Sequence, residues 1–376
     1  MFWADISRSL YIGSLPSRYP KSHYWTNMPP QTQKALVVTE VGSPLTLVTD
    51  WPVPQPGPNQ VQIRVSVAGP NPHDQKARDA GLFIAEQLPA ILCNDVVGQI
   101  VALGPDVTRF SIGDRIFGQA NFAPGSLQNG LQEYAVLDAD FIAKIPDGFS
   151  DDDVAALPTN TLAPVVAFFS PSLLGFPAPW GSTAPNASEK DTTILILGGG
   201  SSCGKYGVQL AALAGFGRIV VVGGNETELR SYGATHVLDR HGTPREIVAR
   251  IRKVVGDDLL YTYDAINPPA TQIIGINALS STKKGKIARL VPTGPVDESQ
   301  VHEKKEGYEL LNVLGSSHLH PELSKPFWEH LSQLLREGKI KPTAFKAVNG
   351  WSAEEVNNVL DAYRDGKKIT KTHFHL

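Results

Sequence analysis

The segment at residues 192–214 constrains the fold more than any other part of this sequence. It reads TTILILGGGSSCGKYGVQLAALA: a short apolar block, then three glycines and two serines, then a helical pattern of small and apolar residues. A strand that turns through glycine into a helix directs free backbone N–H groups and the positive end of the helix dipole at one point, which makes an anion site. A second apolar block at residues 218–222, RIVVV, completes a βαβ unit of the length typical of dinucleotide-binding folds. The alternative is an ordinary tight turn that binds nothing.

The glycine spacing in this turn departs from the common G-x-G-x-x-G pattern. After Gly198 and Gly200, the third glycine comes one residue late, at Gly204. When the pattern is read from Gly199, the spacing is restored with Ser201 in the middle position. The residues expected to hold a pyrophosphate are Gly199, Gly200, Ser201, Ser202, Cys203 and Gly204.

Cys203 has a second interpretation as a nucleophile, because a helix N-terminus lowers the pKa of a thiol. However, it faces the expected pyrophosphate position, and no histidine or acid lies near it in the sequence. We therefore interpret Cys203 as a small packing residue within the glycine turn.

The end of the second strand favours NADPH over NADH. NAD sites place Asp or Glu there, where the carboxylate accepts hydrogen bonds from the ribose hydroxyls. Here the strand is followed by Gly223 and Asn225, and the first carboxylate is Glu226. A 2′-phosphate would not be repelled, and Asn225 is expected to donate to it. Gly223 and Asn225 are expected to contact the cofactor. Arg230, one helical turn further on, is either a third residue that contacts the cofactor or an exposed helix arginine.

Composition fits a globular enzyme with two domains. The chain has 376 residues, 41% hydrophobic and 19% charged, and a formal net charge of −3, which gives no electrostatic case for nucleic acid or an anionic membrane. Two cysteines, Cys93 and Cys203, exclude a disulfide framework, and no apolar run approaches a membrane span. We expect a cytoplasmic protein. The first thirty residues are interpreted as an irregular extension that wraps the domain, with a weak organelle-targeting sequence as the alternative.

Patterns along the chain predict a mostly-β first half and a parallel-sheet second half. Short alternating strands run from residue 34 to about 145, followed by one helix at 151–169 with Ser150 as its N-cap, and by a Pro/Gly/Ser/Ala-rich insertion at 171–187. Strands interleaved with helices continue to residue 315, before helices at 328–337 and 353–366 and a β-like tail at 370–374. The predicted domains are an extension (1–33), a substrate and catalytic domain (34–158), a dinucleotide-binding domain (159–320) and a C-terminal return to the catalytic domain (321–376).

Several motifs in this order resemble the medium-chain dehydrogenase/reductase superfamily. The motifs are VSVAGPNPHD at 65–74, GPDVTRFSIGDR at 104–115, AALPT at 155–159 and LREGKIK at 335–341. The resemblance implies an α/β fold with a GroES-like mostly-β domain and a Rossmann domain with a doubly wound parallel sheet. Within the superfamily, the insertion before the glycine turn and YDAI at 263–266 resemble the zinc-independent fungal branch of trans-acting enoyl reductases and toxD-like proteins.

The resemblance also indicates that this chain holds no metal. Zinc-dependent members carry a cysteine after the Ala-Gly turn and a His-Glu pair near the next strand. Here Asn71 and the pair Asn94-Asp95 stand at those places, and amides do not replace the thiolate and imidazole that Zn²⁺ prefers. An improvised site from Cys93, Asp95 and His73 is the alternative.

Without a metal, the chemistry must suit a substrate already polarised by conjugation, so the resemblance implies reduction of an α,β-unsaturated carbonyl compound. Asn71, His73 and Lys76 lie on the loop that faces the nicotinamide in relatives. Lys76 and Thr161 correspond to polar residues of the cofactor pocket in trans-acting enoyl reductases, although Thr159 is also available. The expected catalytic residues are Lys76, Thr161 and Asn71. Their structural alternatives are a solvated lysine, a helix threonine bonded to the backbone and a turn-forming asparagine.

The leading hypothesis is therefore an NADPH-dependent enoyl reductase acting on a small or carrier-bound substrate, with a polyketide synthase as the expected partner. No nucleic-acid or membrane partner is expected, and the protein is expected to be a monomer or a homodimer. Two alternatives remain open. One is a quinone reductase with the same fold and cofactor, and the other is a non-redox cyclase or binding protein.

Overall fold

The computed structural model describes residues 30–180, 189–266, 268–290 and 294–376. Residues 1–29 of the predicted N-terminal extension and the last part of the predicted insertion lie outside the described residues, so the hypotheses on them stay predictions. The three domain boundaries predicted from the sequence also stay predictions.

The N-terminal part is mostly β, as the alternating patterns predict. Its elements are β1 (Thr32–Val38), β2 (Thr46–Pro52), β3 (Gln60–Ala68), α1 (Pro72–Ala80), β4 (Ala90–Ile91), β5 (Asp95–Leu103), β6 (Arg115–Gln119), β7 (Tyr134–Asp138) and β8 (Ile142–Lys144). Strands β2, β1 and β4 form an antiparallel sheet, and β3 pairs with both β5 and β7 in a larger one. Helix α1 follows β3 after a short loop and has Pro72 in its first turn, so the loop that contains Asn71 has a fixed position.

The predicted helix at 151–169 is two helices, α2 (Asp151–Ala155) and α3 (Pro158–Phe169). Ser150 caps α2 as predicted, because its Oγ accepts from the backbone N of Asp153 at 3.1 Å. The chain breaks because Pro158 has no N–H to donate to the preceding turn and instead occupies the first turn of a new helix.

The second half contains a six-stranded parallel sheet, as predicted from the apolar blocks. Its elements are β9 (Thr193–Leu197), α4 (Ser202–Leu213), β10 (Arg218–Val222), α5 (Glu226–Ser231), β11 (His236–Leu238), α6 (Pro244–Val255), β12 (Tyr261–Asp264), α7 (Pro269–Ala278), β13 (Gly285–Leu290) and β14 (Tyr308–Val313). The strand order is β11-β10-β9-β12-β13-β14. The order reverses beside β9, which is the switch point where such sheets bind ligands.

The C-terminal segment returns to the mostly-β part. It consists of α8 (Pro321–Arg336), β15 (Phe345–Asn349), α9 (Ala353–Arg364) and β16 (Lys371–His375). Helix α8 begins seven residues before the predicted helix. Strand β16 pairs with β3 and joins the larger sheet, in the order β15-β16-β3-β5-β6-β8. This pairing brings Lys371 beside the loop between β3 and α1. None of the helices in the described ranges is long and apolar enough to cross a membrane.

Candidate active site

The turn between β9 and α4 has the structure of a phosphate-binding turn. Ser201 is the N-cap of α4: its Oγ accepts from the backbone N of Gly204 at 3.0 Å and donates to the backbone O of Gly198 at 2.8 Å. A Cβ at Gly204 would lie 2.2 Å from the Gly198 carbonyl oxygen, so a side chain there would push the helix from the strand. The turn therefore aims the first N–H groups of a twelve-residue helix at the cleft.

The predicted pyrophosphate residues divide into two groups. Gly199 is buried, and a Cβ there would lie 2.3 Å from the Val221 side chain, so it serves close packing, as Gly204 does. Gly200, Ser201, Ser202 and Cys203 line the cleft. A Cβ at Gly200 would meet nothing closer than 3.5 Å, so this glycine leaves open space for a ligand.

Arg230, which the sequence offered as a cofactor contact, points away from the end of β10, and another arginine lies close to that strand end. Arg230 donates to Glu226 Oε1 at 2.8 Å and to the Thr235 carbonyl at 3.0 Å, on an exposed face. Asn225 caps α5 by accepting from the backbone N of Glu228 at 2.9 Å.

The arginine near the strand end is Arg240, which follows β11. Its Cδ lies 3.1 Å from the place where a Cβ on Gly223 would stand, and Gly223 has a φ of +79°. No residue in the described ranges accepts a hydrogen bond from its guanidinium. The sequence analysis did not identify Arg240, because only the pairing of β10 with β11 brings it to this edge.

A cleft of about 520 Å³ extends from the glycine turn across the face of α1. No Asp or Glu is among its described lining residues, whereas five lysines are. The lysines are Lys76, Lys205, Lys367, Lys368 and Lys371. Three of them form ion pairs, with Glu228, Asp365 and Asp95. The walls are thus suited to an anionic ligand.

Of the predicted catalytic residues, Lys76 lines this cleft and Thr161 does not. Lys76 is half-buried, and no described residue accepts a hydrogen bond from its ammonium group. Thr161 is fully buried, and its Oγ1 donates to the Leu157 carbonyl at 2.8 Å, which is the backbone-bonded arrangement weighed as its alternative. Thr159, two residues earlier on α3 and so on the opposite side of the helix, lines the cleft instead.

His73 and Asn94 form a pair at the edge of the cleft. The His73 Nε2 and the Asn94 Oδ1 are 2.9 Å apart, and the His73 ring meets the Phe122 ring edge-on at 5.3 Å between centroids. Asn94 also donates to the Ala120 carbonyl at 3.1 Å. Both side chains are thus held by neighbours on the mostly-β part.

Asn71, the third predicted catalytic residue, belongs to a buried hydrogen-bond network. Its Oδ1 accepts from Lys371 Nζ at 2.6 Å and from Asn160 at 3.2 Å, and its Nδ2 donates to Asp95 Oδ2 at 2.8 Å. Asp95 Oδ1 in turn accepts from the backbone N of Thr159 at 2.7 Å. Asn71 therefore helps to hold the floor of the cleft in place.

Lys371 and Asp95 form a buried ion pair at the centre of this network. Lys371 Nζ lies 2.8 Å from Asp95 Oδ2, and it also donates to the carbonyls of Gly69 at 2.7 Å and Pro70 at 3.2 Å. Burial alone would lower the pKa of Lys371, but the Asp95 carboxylate outweighs it and raises that pKa. Likewise, burial disfavours the charged Asp95, but Lys371 outweighs it and the pKa of Asp95 is lowered. Both groups are therefore charged.

The two cysteines are protonated thiols in this environment. Burial raises the pKa of Cys203 to about 12 and that of Cys93 well above its ordinary value. A thiolate, not a thiol, acts as nucleophile or metal ligand. In the described ranges, no group of three or more His, Cys, Asp or Glu side chains is arranged to hold a metal ion.

Comparison with known proteins shows which family has this architecture. Residues 57–147 match the alcohol dehydrogenase GroES-like domain family, which confirms the GroES-like part of the predicted fold. The dehydrogenase orsE of Emericella nidulans is 30% identical over 356 residues, which cover 90% of this chain and 98% of the relative. The chain belongs to the medium-chain dehydrogenase/reductase superfamily. The predicted branch is confirmed too, because the similar proteins include fungal dehydrogenases and trans-enoyl reductases.

Two further proteins are similar to this chain. The enoyl reductase component lovC of the lovastatin nonaketide synthase, from Aspergillus terreus, is 32% identical over 246 residues, or 64% of each chain. A mycobacterial protein solved in complex with NADPH superimposes with a TM-score of 0.69 at 21% identity, over 92% of this chain and 100% of that one. The second likeness shows the fold alone.

Proposed function

We propose that this protein is an NADPH-dependent, zinc-independent reductase of activated double bonds. The observation that carries the proposal is the donor set at the floor of the cleft. Where the superfamily resemblance assigns zinc ligands, this chain has Asn71 and the pair Asn94-Asp95, and the Lys371 ammonium lies against Asn71 and Asp95. Amide groups are poor ligands for Zn²⁺, and a second cation would be repelled by the ammonium.

The residues at the glycine turn fit a dinucleotide. Gly200 leaves space for a close approach, and the first turn of α4 offers N–H groups to a pyrophosphate. The nicotinamide supplies a hydride when the cofactor is bound. Without a Lewis acid, a conjugated acceptor is the suitable substrate, because the negative charge would spread to the carbonyl oxygen as the β-carbon gains the hydride, and a proton from a side chain or from water would then complete the reduction at the α-carbon.

We propose that the Lys76 ammonium is the hydrogen-bond donor that stabilises the negative charge developing on the carbonyl oxygen. Its ammonium is free of partners among the described residues, and it lines the same cleft as the glycine turn. Positioned donors of this kind typically contribute about 3 kcal/mol to the stabilisation of a transition state. Thr159, which also lines the cleft, is the threonine that the geometry favours for a supporting contact.

The substrate proposed is an enoyl group carried as a thioester, with a polyketide synthase as partner. Support comes from lovC, which is named as a component of such a synthase. An assay of NADPH oxidation against enoyl thioesters, enones, quinones and saturated alcohols tests the proposal. We expect turnover with the enoyl thioesters, and none with alcohols and NADP⁺. Turnover with quinones alone would favour the quinone reductase alternative, and no oxidation of NADPH across the panel would favour a non-redox role.

Lys76→Ala is expected to lower enoyl turnover ten- to a thousandfold, in line with the loss of one positioned donor. Lys346→Ala is a matched control, because Lys346 is an exposed lysine on β15 that lines no described part of the cleft. An effect of Lys76→Ala below twofold would contradict the assignment.

NADPH is the proposed cofactor because no carboxylate follows β10 directly and Arg240 lies against Gly223. An arginine suits phosphate, since its planar guanidinium presents paired donors. We expect calorimetry to show at least tenfold tighter binding of NADPH than of NADH. Arg240→Ala should weaken NADPH binding and leave NADH binding within twofold, whereas Arg230→Ala, the contact predicted from sequence, should change neither. Equal affinity of the wild type for both cofactors would contradict the proposal.

A further inference from the structure

A second cavity, of about 240 Å³, lies beside the cleft within the mostly-β part. Its walls come from α1, from β2, from the chain between α1 and β5, and from the segment after β6, and more of the lining residues are apolar than polar. The apolar ones include Trp51, Leu82, Ile84, Leu88, Leu92 and Leu127, and the polar ones include Asp74, Gln87, Asn94, Asn121, Ser126 and Asn129. None of the glycine-turn residues lines it, so the cavity lies away from the dinucleotide site. We call it the side cavity.

The side cavity and the cleft share an aromatic boundary. His73, Phe83 and Phe122 line both. The Phe122 ring lies 5.0 Å from the Phe83 ring and 5.3 Å from the His73 ring, centroid to centroid. The two spaces are therefore neighbours across one layer of side chains, and a chain that passes these rings would enter the side cavity from the cleft.

The wall beside this boundary is held in an unfavourable backbone conformation. In the described ranges, the two non-glycine residues with positive φ are Phe83, at +67°, and Cys93, at +83°. Both lie on the chain segment between α1 and β5 that forms the wall. Left-handed conformations at bulky residues are rare and are found preferentially at ligand-binding sites.

The side cavity also opens outward. Ala123 and Gln87, which line it, are exposed, and Leu127 is 49% exposed. Gln87 presents its side-chain amide without a hydrogen-bond partner among the described residues. A packing void in a core would be enclosed, whereas this space runs from the aromatic boundary to the surface.

We propose that the side cavity binds the apolar tail of the substrate, on the β-carbon side of the double bond. This assignment rests on the proposed function, because the reacting double bond must lie in the cleft next to the glycine turn. The substrate class is then an enoyl thioester whose chain extends several carbons past the double bond. The thioester side points to the lysine-lined part of the cleft, and the tail passes alongside the packed Phe83 and Phe122 rings and leaves water.

Ala123→Trp tests the assignment, because Ala123 is exposed and lines the side cavity but not the cleft. Ala85→Trp is the matched control, since Ala85 is an exposed alanine on the facing segment that lines neither space. The probes are N-acetylcysteamine thioesters of butenoic and octenoic acid, each trans-2-unsaturated. We expect Ala123→Trp to raise KM for the octenoyl thioester at least tenfold and to leave kcat/KM for the butenoyl thioester within twofold. Ala85→Trp should change neither value.

A binding measurement separates this proposal from the proposed reaction. Octanoyl and butanoyl N-acetylcysteamine thioesters are saturated and have no double bond to reduce. Calorimetry with these thioesters in the presence of NADP⁺ therefore reports binding alone. We expect the octanoyl thioester to bind the wild type at least tenfold more tightly than the butanoyl thioester, and Ala123→Trp to abolish that difference. Equal affinities in the wild type, or an unchanged octanoyl affinity in a folded Ala123→Trp variant, would overturn the assignment even if enoyl reduction is observed. Conversely, absence of enoyl reduction with the expected binding would refute the reaction and retain the tail site.

Discussion

Lys371 and Asp95 are 276 residues apart in the chain, yet their charged atoms lie 2.8 Å from each other in the interior. Neither side chain is more than 3% exposed. Two charges removed from water are stable only if each satisfies the other and the remaining donors and acceptors find partners. Here the Gly69 carbonyl, Asn71 and the backbone of Thr159 provide those partners. One ion pair thus fixes the floor of the cleft.

Removal of one member of this pair is expected to lower the free energy of unfolding more than removal of both. Lys371→Met leaves Asp95 charged and unpaired, and should lower the free energy of unfolding by about 3–5 kcal/mol. The double variant Lys371→Met/Asp95→Asn should recover at least half of that loss. Urea unfolding measures both, with Lys346→Met as the exposed control. Equal losses in the single and double variants would contradict the account.

Gly204 tests the phosphate turn at a single position. A valine there would place Cβ 2.2 Å from the Gly198 carbonyl and separate α4 from β9. We expect Gly204→Val to abolish binding of NADPH and NADH in calorimetry, with thermal unfolding as the check that the variant is folded. A folded variant that binds NADPH normally would place the phosphate site elsewhere.

At the scale of elements, the last strand carries a pH-sensitive residue. His373 on β16 is fully buried, its Nδ1 lies 3.0 Å from Asp152 Oδ1, and its ring stacks on Phe345 at 5.0 Å. Burial is the largest cause that lowers its pKa to about 4, from an ordinary value of 6.5. Between these two values the unfolded chain binds the proton and the folded chain does not. Stability therefore falls as the pH drops from 6.5 towards 4.

Urea unfolding at pH 7, 6 and 5 checks this expectation. The wild type should lose stability on acidification, and His373→Gln should lose less, because glutamine does not titrate. His302→Gln, at an exposed histidine, is the control. The same slope in His373→Gln and wild type would remove His373 as the cause.

The sequence predicted those elements whose patterns are local. The apolar block and glycine turn predicted β9 and α4, and alternating residues predicted the strands of the mostly-β part. The break between α2 and α3 was missed, although Pro158 was the signal for it. Helix α8 was predicted to start late, because the residues before Trp328 include Pro326, which α8 accommodates inside the helix.

The site was predicted only in part, because its geometry depends on contacts between distant elements. The glycine turn and Lys76 line the cleft, as their local motifs indicated. The position of Arg240 depends on the pairing of β10 with β11, and that of Lys371 on the pairing of β16 with β3. No spacing in the sequence records either pairing. Thr161 was expected in the cleft from the family resemblance alone, and α3 instead turns it into the interior, where its Oγ1 bonds to the Leu157 carbonyl.

At the scale of the whole molecule, three distant stretches of chain build one cleft. The mostly-β part contributes Lys76, the parallel sheet contributes the glycine turn, and the C-terminal return contributes Lys371. The result is a lysine-rich wall that suits an anionic ligand and a floor that is fixed by an ion pair. Hydride transfer to a conjugated double bond is the chemistry that this arrangement favours.

The most direct test of that claim follows the hydride itself. The protein is incubated with octenoyl N-acetylcysteamine thioester and NADPH dideuterated at C4 of the nicotinamide, and the product is analysed by mass spectrometry and NMR. We predict a saturated thioester that carries one deuterium, at the β-carbon. Deuterium at the carbonyl carbon, or a recovered enoyl thioester without deuterium while NADPH binds, would contradict the account.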